Sequence, residues 1–390
     1  MTIHIVRTID EFALLESRWT ALAAAGAVRT PYQSYVWLDQ WLRHRSVDVE
    51  PFVLVIDGGK TIAPFGRVRR TGIRTLRLLG TPDSDYASLV TTESLDAGWD
   101  SVARTLAGIR GEFDLLHLHS IQERQSIVAA FRRWLGTGGR ERPYELCPWI
   151  PTNQSWEQLL ARRSGEFRKT VRRWKRRMEE LGHVTLEQVR PPLSDLLLDE
   201  LADVERSSWK WEHGNSSFSP GPMRDLLRAV LRDRRTEATI WLLRVSDRLV
   251  AYAFILIANN RWYYYLSTFR KETGNAGSFL LGRIVEAACS DGCIALDLLR
   301  GDQEYKRLWT EHSETVHELV WPVSLRGRAA VLAYVLRWRA ARSSRLAKLR
   351  ARLFGVGDRR QEAHGSIRGT GTVPLTVRSS GDGSEARANL

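Results

Sequence analysis

The sequence predicts an α/β protein with a mixed sheet, arranged as two units and followed by a basic helical segment. The chain has 390 residues, more than one ordinary domain, and 43% of them are hydrophobic, enough for packed cores. Strand-like and helix-like segments alternate over the first 323 residues. The apolar stretch CIALDLL runs into the charged cluster RGDQEYK, and α/β proteins commonly place their chemistry at such strand ends.

The first predicted unit spans residues 1–150. A strand, HIVRTI, precedes two helical patterns, EFALLESRWTALAAA and PYQSYVWLDQWLRHR. The stretch PFVLVIDGGKTIAPFGRVRR is typical of a hairpin, because Asp57, Gly58 and Gly59 separate two apolar runs. RTLRLLG and DYASLV predict short strands. The unit then ends with a helix, a strand, a helix and a strand in LDAGWDSVARTLAGI, FDLLHLHSI, ERQSIVAAFRRWLG and YELCPWI.

The second predicted unit, residues 151–323, opens with one long helix, SWEQLLARRSGEFRKTVRRWKRRMEELG. Its apolar residues recur every three or four positions, which gives one buried stripe, and Gly182 ends it. The opposite face is rich in arginine and lysine over residues 168–177. That face is either a solvated surface or a contact for the phosphates of a CoA, tRNA or carrier-protein donor.

The rest of the second unit contains helices around a three-strand meander. VTLEQVR predicts a strand, and SDLLLDELADVERSSWKW and GPMRDLLRAVLRD predict helices around a Gly/Ser loop. ATIWLLRV, RLVAYAFILIA and RWYYYLSTF are joined by turns short enough for antiparallel pairing. The loop RKETGNAG leads to the helix SFLLGRIVEAACSDG, the strand CIALDLL and the last strand ETVHELVWPV.

The basic charge is concentrated at the carboxyl end. Of the 58 Lys and Arg residues, 14 lie from residue 324 onward with only 4 of the 45 Asp and Glu residues, so residues 1–323 carry 44 against 41. We therefore expect nucleic-acid binding to be absent from the body of the protein. Residues 324–354 predict a basic helix that contacts a membrane surface or an acidic partner, or is simply solvated. Residues 355–390, rich in Gly, Ser and Thr, predict disorder.

Cysteine and histidine usage predicts neither disulfides nor a metal centre. Cys147, Cys289 and Cys293 are too few for a disulfide framework and favour a reducing compartment. With no apparent signal segment, we expect a cytoplasmic location, with peripheral membrane contact through the tail. His117 and His119 share one face of a strand, and without a visible third ligand a structural role is favoured.

The second unit resembles the GNAT superfamily of acetyltransferases, and more closely the branch of CelD-type polysaccharide-associated acetyltransferases and FemAB-like aminoacyl transferases. The likeness covers roughly residues 150–323, and the first unit resembles a degenerate N-terminal GNAT-like domain. The resemblance therefore implies tandem GNAT-like domains. It is carried by Tyr263-Tyr264-Tyr265, Gly277-Ser278, and Asp297, Arg300-Gly301-Asp302 and Tyr305-Lys306.

The resemblance implies acyl transfer from a thioester to an amine, which needs positioning, oxyanion stabilisation and a proton donor for the thiolate. Tyr305 falls on the first turn of a helix and is expected to be that acid, because a phenol pKa of about 10 suits a thiolate. Asp302 is expected to bind or deprotonate the amine. Lys306 and Arg300 are expected to hold donor phosphates or an acidic acceptor. The alternative is a helix start capped by Asp302 with surface ion pairs.

The donor is expected at the loop before the following helix, whose glycines and free amides favour a pyrophosphate. The residues predicted to bind it are Arg270, Lys271, Gly274, Gly277 and Ser278. The full glycine-rich signature of the superfamily is absent, so an ordinary connection remains the alternative.

The acceptor is expected to contact residues on either side of that loop, if they do not simply pack on the core. The residues predicted for this role are Trp209, Lys210, Tyr264 and Asp297.

The function implied is an N-acyltransferase that uses acetyl-CoA or another acyl-CoA, without a metal. Its acceptor would be a small molecule or a glycan precursor, namely an amino sugar or another polysaccharide or envelope precursor. A FemAB-like transferase that takes its aminoacyl group from tRNA is the second hypothesis. The near-neutral body and the lack of a coiled-coil arm argue against that second hypothesis. A third is a non-catalytic scaffold of an exopolysaccharide or cellulose synthesis complex.

Overall fold

The computed structural model describes residues 2–45 and 48–342, without the side chains of 337–342. The predicted disordered segment 355–390 and the end of the predicted basic helix lie outside this range. The described strands are β1 (Ile3–Val6), β2 (Val49–Ile56), β3 (Thr61–Arg70), β4 (Ile73–Leu78), β5 (Val90–Thr91), β6 (Leu115–Ile121), β7 (Arg140–Pro151), β8 (Val184–Val189), β9 (Ala238–Val245), β10 (Arg248–Ala258), β11 (Arg261–Phe269), β12 (Ala295–Asp297) and β13 (Ser313–Pro322).

The described α-helices alternate with these strands. They are α1 (Ile9–Ala13), α2 (Glu16–Ala24), α3 (Tyr35–Arg45), α4 (Leu95–Gly108), α5 (Arg124–Trp134), α6 (Trp156–Ala161), α7 (Gly165–Glu180), α8 (Asp195–Arg206), α9 (Trp209–Glu212), α10 (Pro222–Arg232), α11 (Ala276–Ser290), α12 (Glu304–Trp309) and α13 (Leu325–Arg342).

The strands form one mixed sheet whose order is symmetric about its centre. The order is β1-β2-β3-β4-β6-β13-β7-β12-β11-β10-β9-β8, with β5 paired to β3. Each half contributes five strands from its own edge inward, and the last strand of each half then pairs with the other half. The parallel pairs, β4 with β6 and β11 with β12, occupy equivalent places in the two halves. The predicted fold class, α/β with a mixed sheet, is confirmed.

Exchange of the last strands joins the two predicted units. Strand β7 belongs to the first unit by sequence, yet it pairs with β12 and β13. Strand β13 belongs to the second unit and pairs with β6 as well as β7. The sheet is therefore continuous across residue 150, and the predicted domain limits stay a prediction.

The two halves also share a hydrophobic core on one face of the sheet. Helices α2 and α3 of the first half pack there with α8 and α10 of the second, in a cluster that includes Trp19, Trp41, Leu198 and Leu226. The opposite face is covered by α4 and α5 in the first half, and by α6, α7, α11 and α12 in the second. A ligand near the centre of the shared face therefore contacts both halves.

Several predicted elements differ in extent from the observed ones. The long helix predicted from Ser155 to Gly182 is two helices, because the Ser164 hydroxyl accepts a hydrogen bond from the Phe167 N–H (3.1 Å) and starts α7. The segment DYASLV forms a strand only at its end, in β5. The stretch CIALDLL is a strand over just three residues, since Leu299 has a φ of 62° and turns the chain.

The predicted meander is confirmed as β9, β10 and β11, which pair antiparallel. The predicted basic helix begins within one residue of its expected start, as α13, and Val331 packs it against Leu115 and Val320 of the sheet. Within the residues described, no helix is both long and apolar enough to span a membrane.

Candidate active site

Parallel strands β11 and β12 pair over three residues and then separate. Tyr263 opposite Asp297 is the last pair, and β11 continues to Phe269 with a bulge at Tyr265. Beyond Tyr263, the described strands leave this edge of β11 without a partner. Unpaired backbone N–H and C=O groups at such an edge are available to a ligand.

The motif that follows β12 builds a tight turn. The Leu299 N–H donates to the Asp297 carboxylate (2.8 Å), and Leu299 and Gly301 have φ of 62° and 105°. The Lys306 ammonium, fully buried on α12, donates to the carbonyls of Leu299 (2.9 Å) and Arg300 (2.7 Å). Asp297 and Lys306 therefore hold the turn that projects Arg300.

Burial shifts the pKa of both groups that hold the turn. Desolvation raises the pKa of Asp297 to about 6, opposed by Arg261 and by the Tyr86 hydroxyl. Desolvation lowers the pKa of Lys306 to about 8, opposed by Asp85 and other nearby acidic groups. Both charged forms are thus less stable here than in water.

A loop of the first half, residues 80–86, completes the site from the other side. Arg300 donates to the Asp85 carboxylate (2.5 Å) and to the Pro82 carbonyl (2.7 Å). The Tyr86 hydroxyl donates to Asp297 (2.8 Å), and the Tyr32 hydroxyl donates to Asp85 (3.1 Å). Arg300 and Asp85 are more than 200 positions apart in the sequence, and so are Asp297 and Tyr86. Sequence reasoning missed this loop because it assigned part of it to a strand. The available signal was TPDSDY, a Pro-, Asp- and Ser-rich pattern that is typical of a turn.

Aromatic rings form the wall between the halves. Tyr86 contacts Tyr263 at 6.2 Å between ring centroids, and Tyr32 and Trp37 contact Tyr265 at 5.9 and 5.2 Å. Tyr264, which was predicted to contact the acceptor, lies on the opposite face, in the core beneath α7 and α11. The alternation of side chains along a strand explains this placement. Tyr263 and Tyr265 are the residues that face the site.

The basic residues of the loop after β11 are already paired. Arg270 is buried, donates to the Leu249 carbonyl (2.8 Å) and the Ser207 hydroxyl (2.7 Å), and forms an ion pair with Asp203. Lys271 forms an ion pair with Glu212 (2.9 Å). These contacts fix the loop onto α8 and α9, so its predicted phosphate contacts fall on backbone N–H groups rather than on these two cations.

The start of α11 offers such N–H groups. Gly274 has a φ of 56°, and no side chain caps the helix. A Cβ on Gly277 would lie 2.6 Å from the Phe269 ring, so close packing also requires this glycine. Ser278 is half-buried in the first turn. The first N–H groups of any helix lack intrahelical partners and favour an anion.

The predicted donor and acceptor residues separate into two groups. Lys210 is buried and donates to the Ser267 carbonyl (2.5 Å), and Trp209 is half-buried beside it. Arg270, the residue after β11, is seven steps along the chain from Tyr263, a distance of about 23 Å at roughly 3.3 Å per step. Arg300, predicted to hold donor phosphates, lies instead at the Tyr263 end with Asp85.

The two remaining predicted residues lie at the start of α12. Tyr305 is half-buried in the first helical turn, as expected, and packs against the core beneath α7 and α11. Asp302 is exposed and ion-paired with Arg307, whose hydrogen bond lowers the pKa of that carboxyl. Of the alternative, the surface ion pair is present, whereas the cap by Asp302 is not, because Gln303 occupies the N-cap position, without a side-chain cap.

One further group of titratable side chains lies nearer the centre of the sheet. Glu318 of β13 brings a carboxylate to His117 and His119, the pair for which no third partner was visible in the sequence. The ligand atoms of these three residues all lie within 4.8 Å of one another.

Comparison with known proteins supports the acyltransferase fold. Residues 165–307 match the sequence model of the acetyltransferase (GNAT) domain, a segment that contains the strand separation and the turn after β12. No curated protein sequence matches the chain significantly.

Solved structures resemble this one over most of its length. The C-terminal domain of a protein assigned as a lysylphosphatidylglycerol synthetase, from Agrobacterium fabrum, has a TM-score of 0.56 at 16% identity, over 83% of this chain and 97% of that one. L-PGS from Bacillus licheniformis has a TM-score of 0.54 at 14% identity, over 80% of this chain and 93% of that one. FemX has a TM-score of 0.53 at 9% identity, over 82% of this chain and 97% of that one. At these identities the likeness establishes the fold alone.

Proposed function

We propose that this chain is an N-acyltransferase that passes an acetyl group from acetyl-CoA to an amine. The observation that supports it best is the separation of β11 and β12 after three paired residues, within the segment that matches the GNAT domain. The open edge of β11 runs from the Asp297 turn to the α11 start, which suits an extended thioester donor.

The donor would lie along this edge with its diphosphate at the start of α11. Backbone N–H groups near Gly277 and Ser278 would bind the phosphates, since Arg270 and Lys271 are engaged by carboxylates. The thioester would then lie in the gap between β11 and β12, with Tyr263 on one face of the sheet and Tyr305 on the face covered by α7 and α11.

The amine nitrogen attacks the thioester carbon, so a C–N bond forms and the C–S bond breaks. The proton lost by the amine passes to solvent or a nearby base, and Tyr305 supplies a proton to the departing thiolate. Asp297 and Lys306 act as positioning residues through the turn they hold. An amino sugar or another envelope precursor as acceptor is supported by the family resemblance.

A charge placed at the α11 start tests this function. Ser278→Asp adds a negative charge at a position that favours the helix but repels phosphate. We expect Ser278→Asp to fold normally and to bind acetyl-CoA at least about tenfold more weakly by calorimetry, whereas the neutral Ser278→Asn retains binding. Equal affinities for the two variants would contradict the proposed phosphate position. No binding by the parent protein would contradict acetyl-CoA as donor.

A second candidate is transfer of an aminoacyl group from tRNA. Two observations favour it. Arg270 and Lys271 are ion-paired and so are not free to hold the phosphates of CoA. The basic face of α7 is exposed, and its Lys169 and Arg172 form no ion pair with any described residue. FemX and the lysylphosphatidylglycerol synthetase share this fold.

A double substitution on α7 separates the two donors. If tRNA is the donor, Lys169→Glu with Arg172→Glu weakens tRNA binding at least about tenfold in a gel-shift assay at fixed salt, since each lost phosphate contact reduces affinity. If acetyl-CoA is the donor, calorimetry gives the same acetyl-CoA affinity for this variant and the parent. A chain that binds neither donor would favour the scaffold hypothesis.

A further inference from the structure

A second cluster of charged and aromatic side chains lies on the shared face of the sheet, beside the candidate active site. Strands β4, β6, β7 and β13 contribute six of its members, and helix α13, which covers one side, contributes the seventh. The members are Arg77, His117, His119, Arg142, Tyr144, Glu318 and Tyr334. Tyr144 joins it to the active site, because the Arg300 guanidinium lies over the Tyr144 ring at 5.7 Å.

One carboxylate serves several donors in this cluster. Glu318 is buried and accepts hydrogen bonds from Tyr334 (2.7 Å) and Arg142, and it contacts His117 Nε2 at 2.6 Å. His119 Nδ1 lies 3.6 Å from the same carboxylate, beyond hydrogen-bond range. Glu318 thus balances the charge of Arg142 and has no further charge for another cation.

Among the described members of this cluster, Arg77 is the cation without a counterion. It lies on β4 next to His117, since Leu76 pairs with Leu116, and it is half-buried. Among the described residues no carboxylate forms an ion pair with it, and its buried Nε makes no hydrogen bond. Burial and the nearby Arg70 lower the pKa of Arg77, which reflects the cost of this uncompensated charge.

His119 is the second buried donor without a partner. Its Nδ1 is buried and makes no hydrogen bond with any described residue. Burial and then His117 lower the pKa of His119 to about 3, with Arg77 and Arg300 adding to the effect and Glu318 opposing it. His119 is therefore neutral at pH 7, with one N–H to donate.

An anion fits this cluster better than a metal ion. His117, His119 and Glu318 offer ligand atoms of the kind that zinc prefers. However, Glu318 is engaged by Arg142, and the uncompensated charge of Arg77 repels a cation. An oxyanion would instead satisfy both Arg77 Nε and His119 Nδ1 and would balance the surplus charge.

We propose that Arg77 and His119 bind a phosphate group of the acceptor. The assignment to an acceptor rests on the proposed acyl transfer, whereas phosphate binding itself does not. The His117 and His119 side chains are 20% and 21% exposed, so solvent reaches the edge of the cluster, and phosphate binding would require small rotations that turn the buried His119 Nδ1 and Arg77 Nε toward that edge. It adjoins Arg300 and Tyr144 at the Asp297 end of the open edge, away from the α11 start. An amine acceptor with a phosphate at this cluster would span from here to the thioester.

Imidazole NMR of the full-length chain at pH 7 tests the proposal, with inorganic phosphate as the probe. We expect a saturable shift of the His119 signals toward the Nδ1–H tautomer. Arg77→Met should weaken the apparent affinity about tenfold or more, as expected for the loss of a charged hydrogen bond. Arg133→Met is the matched control: it removes an equal charge from an exposed, 67% accessible side chain on α5, which covers the opposite face of the sheet, and should leave the affinity unchanged. If Arg77→Met does not fold, Arg77→Lys keeps the charge and should still weaken binding.

Each further outcome decides one part of the proposal. If the His119 signals of the parent protein do not shift on addition of phosphate, the proposal is overturned. So would micromolar zinc binding that shifts both histidines and is lost in His119→Asn. Acetyl-CoA that blocks the phosphate response would assign the site to the donor and overturn the acceptor assignment, whereas additive binding supports it. Failure of acetyl-CoA binding alone would contradict the proposed function and leave the phosphate titration interpretable.

Discussion

At the residue scale, the motif after β12 acts first on backbone geometry. Asp297 and Lys306 bind the backbone of the turn, and Arg300 is held by Asp85 across the two halves. Asp297, Arg300 and Lys306, which the sequence predicted to contact donor or acceptor or to act in catalysis, therefore make structural contacts next to the site. Their removal should affect stability before chemistry.

Removing the Lys306 ammonium should destabilise the protein. Lys306→Met leaves the carbonyls of Leu299 and Arg300 without their donor, at an expected cost of about 1–3 kcal/mol in the free energy of unfolding. Arg307→Met, the adjacent exposed residue, should change it by less than about 0.5 kcal/mol. Urea denaturation measures both variants. Equal effects would show that the buried contacts contribute nothing.

The raised pKa of Asp297 predicts a pH-dependent stability. The folded protein binds this proton at about pH 6, whereas the unfolded chain binds it near 3.8. Between these values the native state holds more protons than the unfolded state, so this group destabilises the fold as pH rises from about 4 to 6. As pH falls from 7 to 4.5, the free energy of unfolding of the parent protein should rise by on the order of 2 kcal/mol relative to that of Asp297→Asn.

Asp302→Asn provides the comparison for that experiment. The Arg307 hydrogen bond lowers the pKa of Asp302, so the stability it contributes is lost only as pH falls below about 4. The difference between the parent protein and Asp302→Asn should stay constant from pH 7 to pH 5. A constant difference for Asp297→Asn as well would contradict the raised pKa.

At the element scale, local sequence patterns were sufficient to predict those strands and turns that are held by contacts between residues close in the sequence. The meander follows from tight turns at Ser246-Asp247 and Asn259-Asn260, whose residues all adopt positive φ. The early end of β12 was not predictable, because buried contacts with Asp297 and Lys306 produce the left-handed Leu299. The loop at residues 80–86 was missed for a related reason. Its partners, such as Arg300, lie more than 200 residues away and leave no local periodicity.

The break between α6 and α7 depends on one hydroxyl. Ser164→Ala removes the cap on the Phe167 N–H and should lower the free energy of unfolding by about 1 kcal/mol. Ser164→Asp keeps an acceptor at this position and should retain stability. Urea denaturation distinguishes them. A fully stable Ser164→Ala would mean that the break is imposed by packing of Phe167 and Trp309 rather than by the cap.

At the scale of the whole molecule, the exchanged strands β7 and β13 make the halves interdependent. Each half alone would lose the partner strand that covers its central edge, and the shared core between α3 and α10 would be exposed. The contacts of Tyr86 with Asp297 and of Asp85 with Arg300 would also be lost. The two halves of the sheet are therefore topological repeats that depend on each other for a complete sheet.

This interdependence predicts a single cooperative unfolding transition. Tryptophan fluorescence and far-ultraviolet circular dichroism should give the same urea midpoint, because neither half retains its core without the other. Fragments 1–151 and 152–390 should each be unfolded alone and should recover native circular dichroism when refolded together. The pair Tyr86→Phe with Asp297→Asn, which removes a contact between the halves, should lower the midpoint without separating the two signals. Two resolved transitions, or a fragment that folds alone, would contradict the prediction and support two autonomous domains.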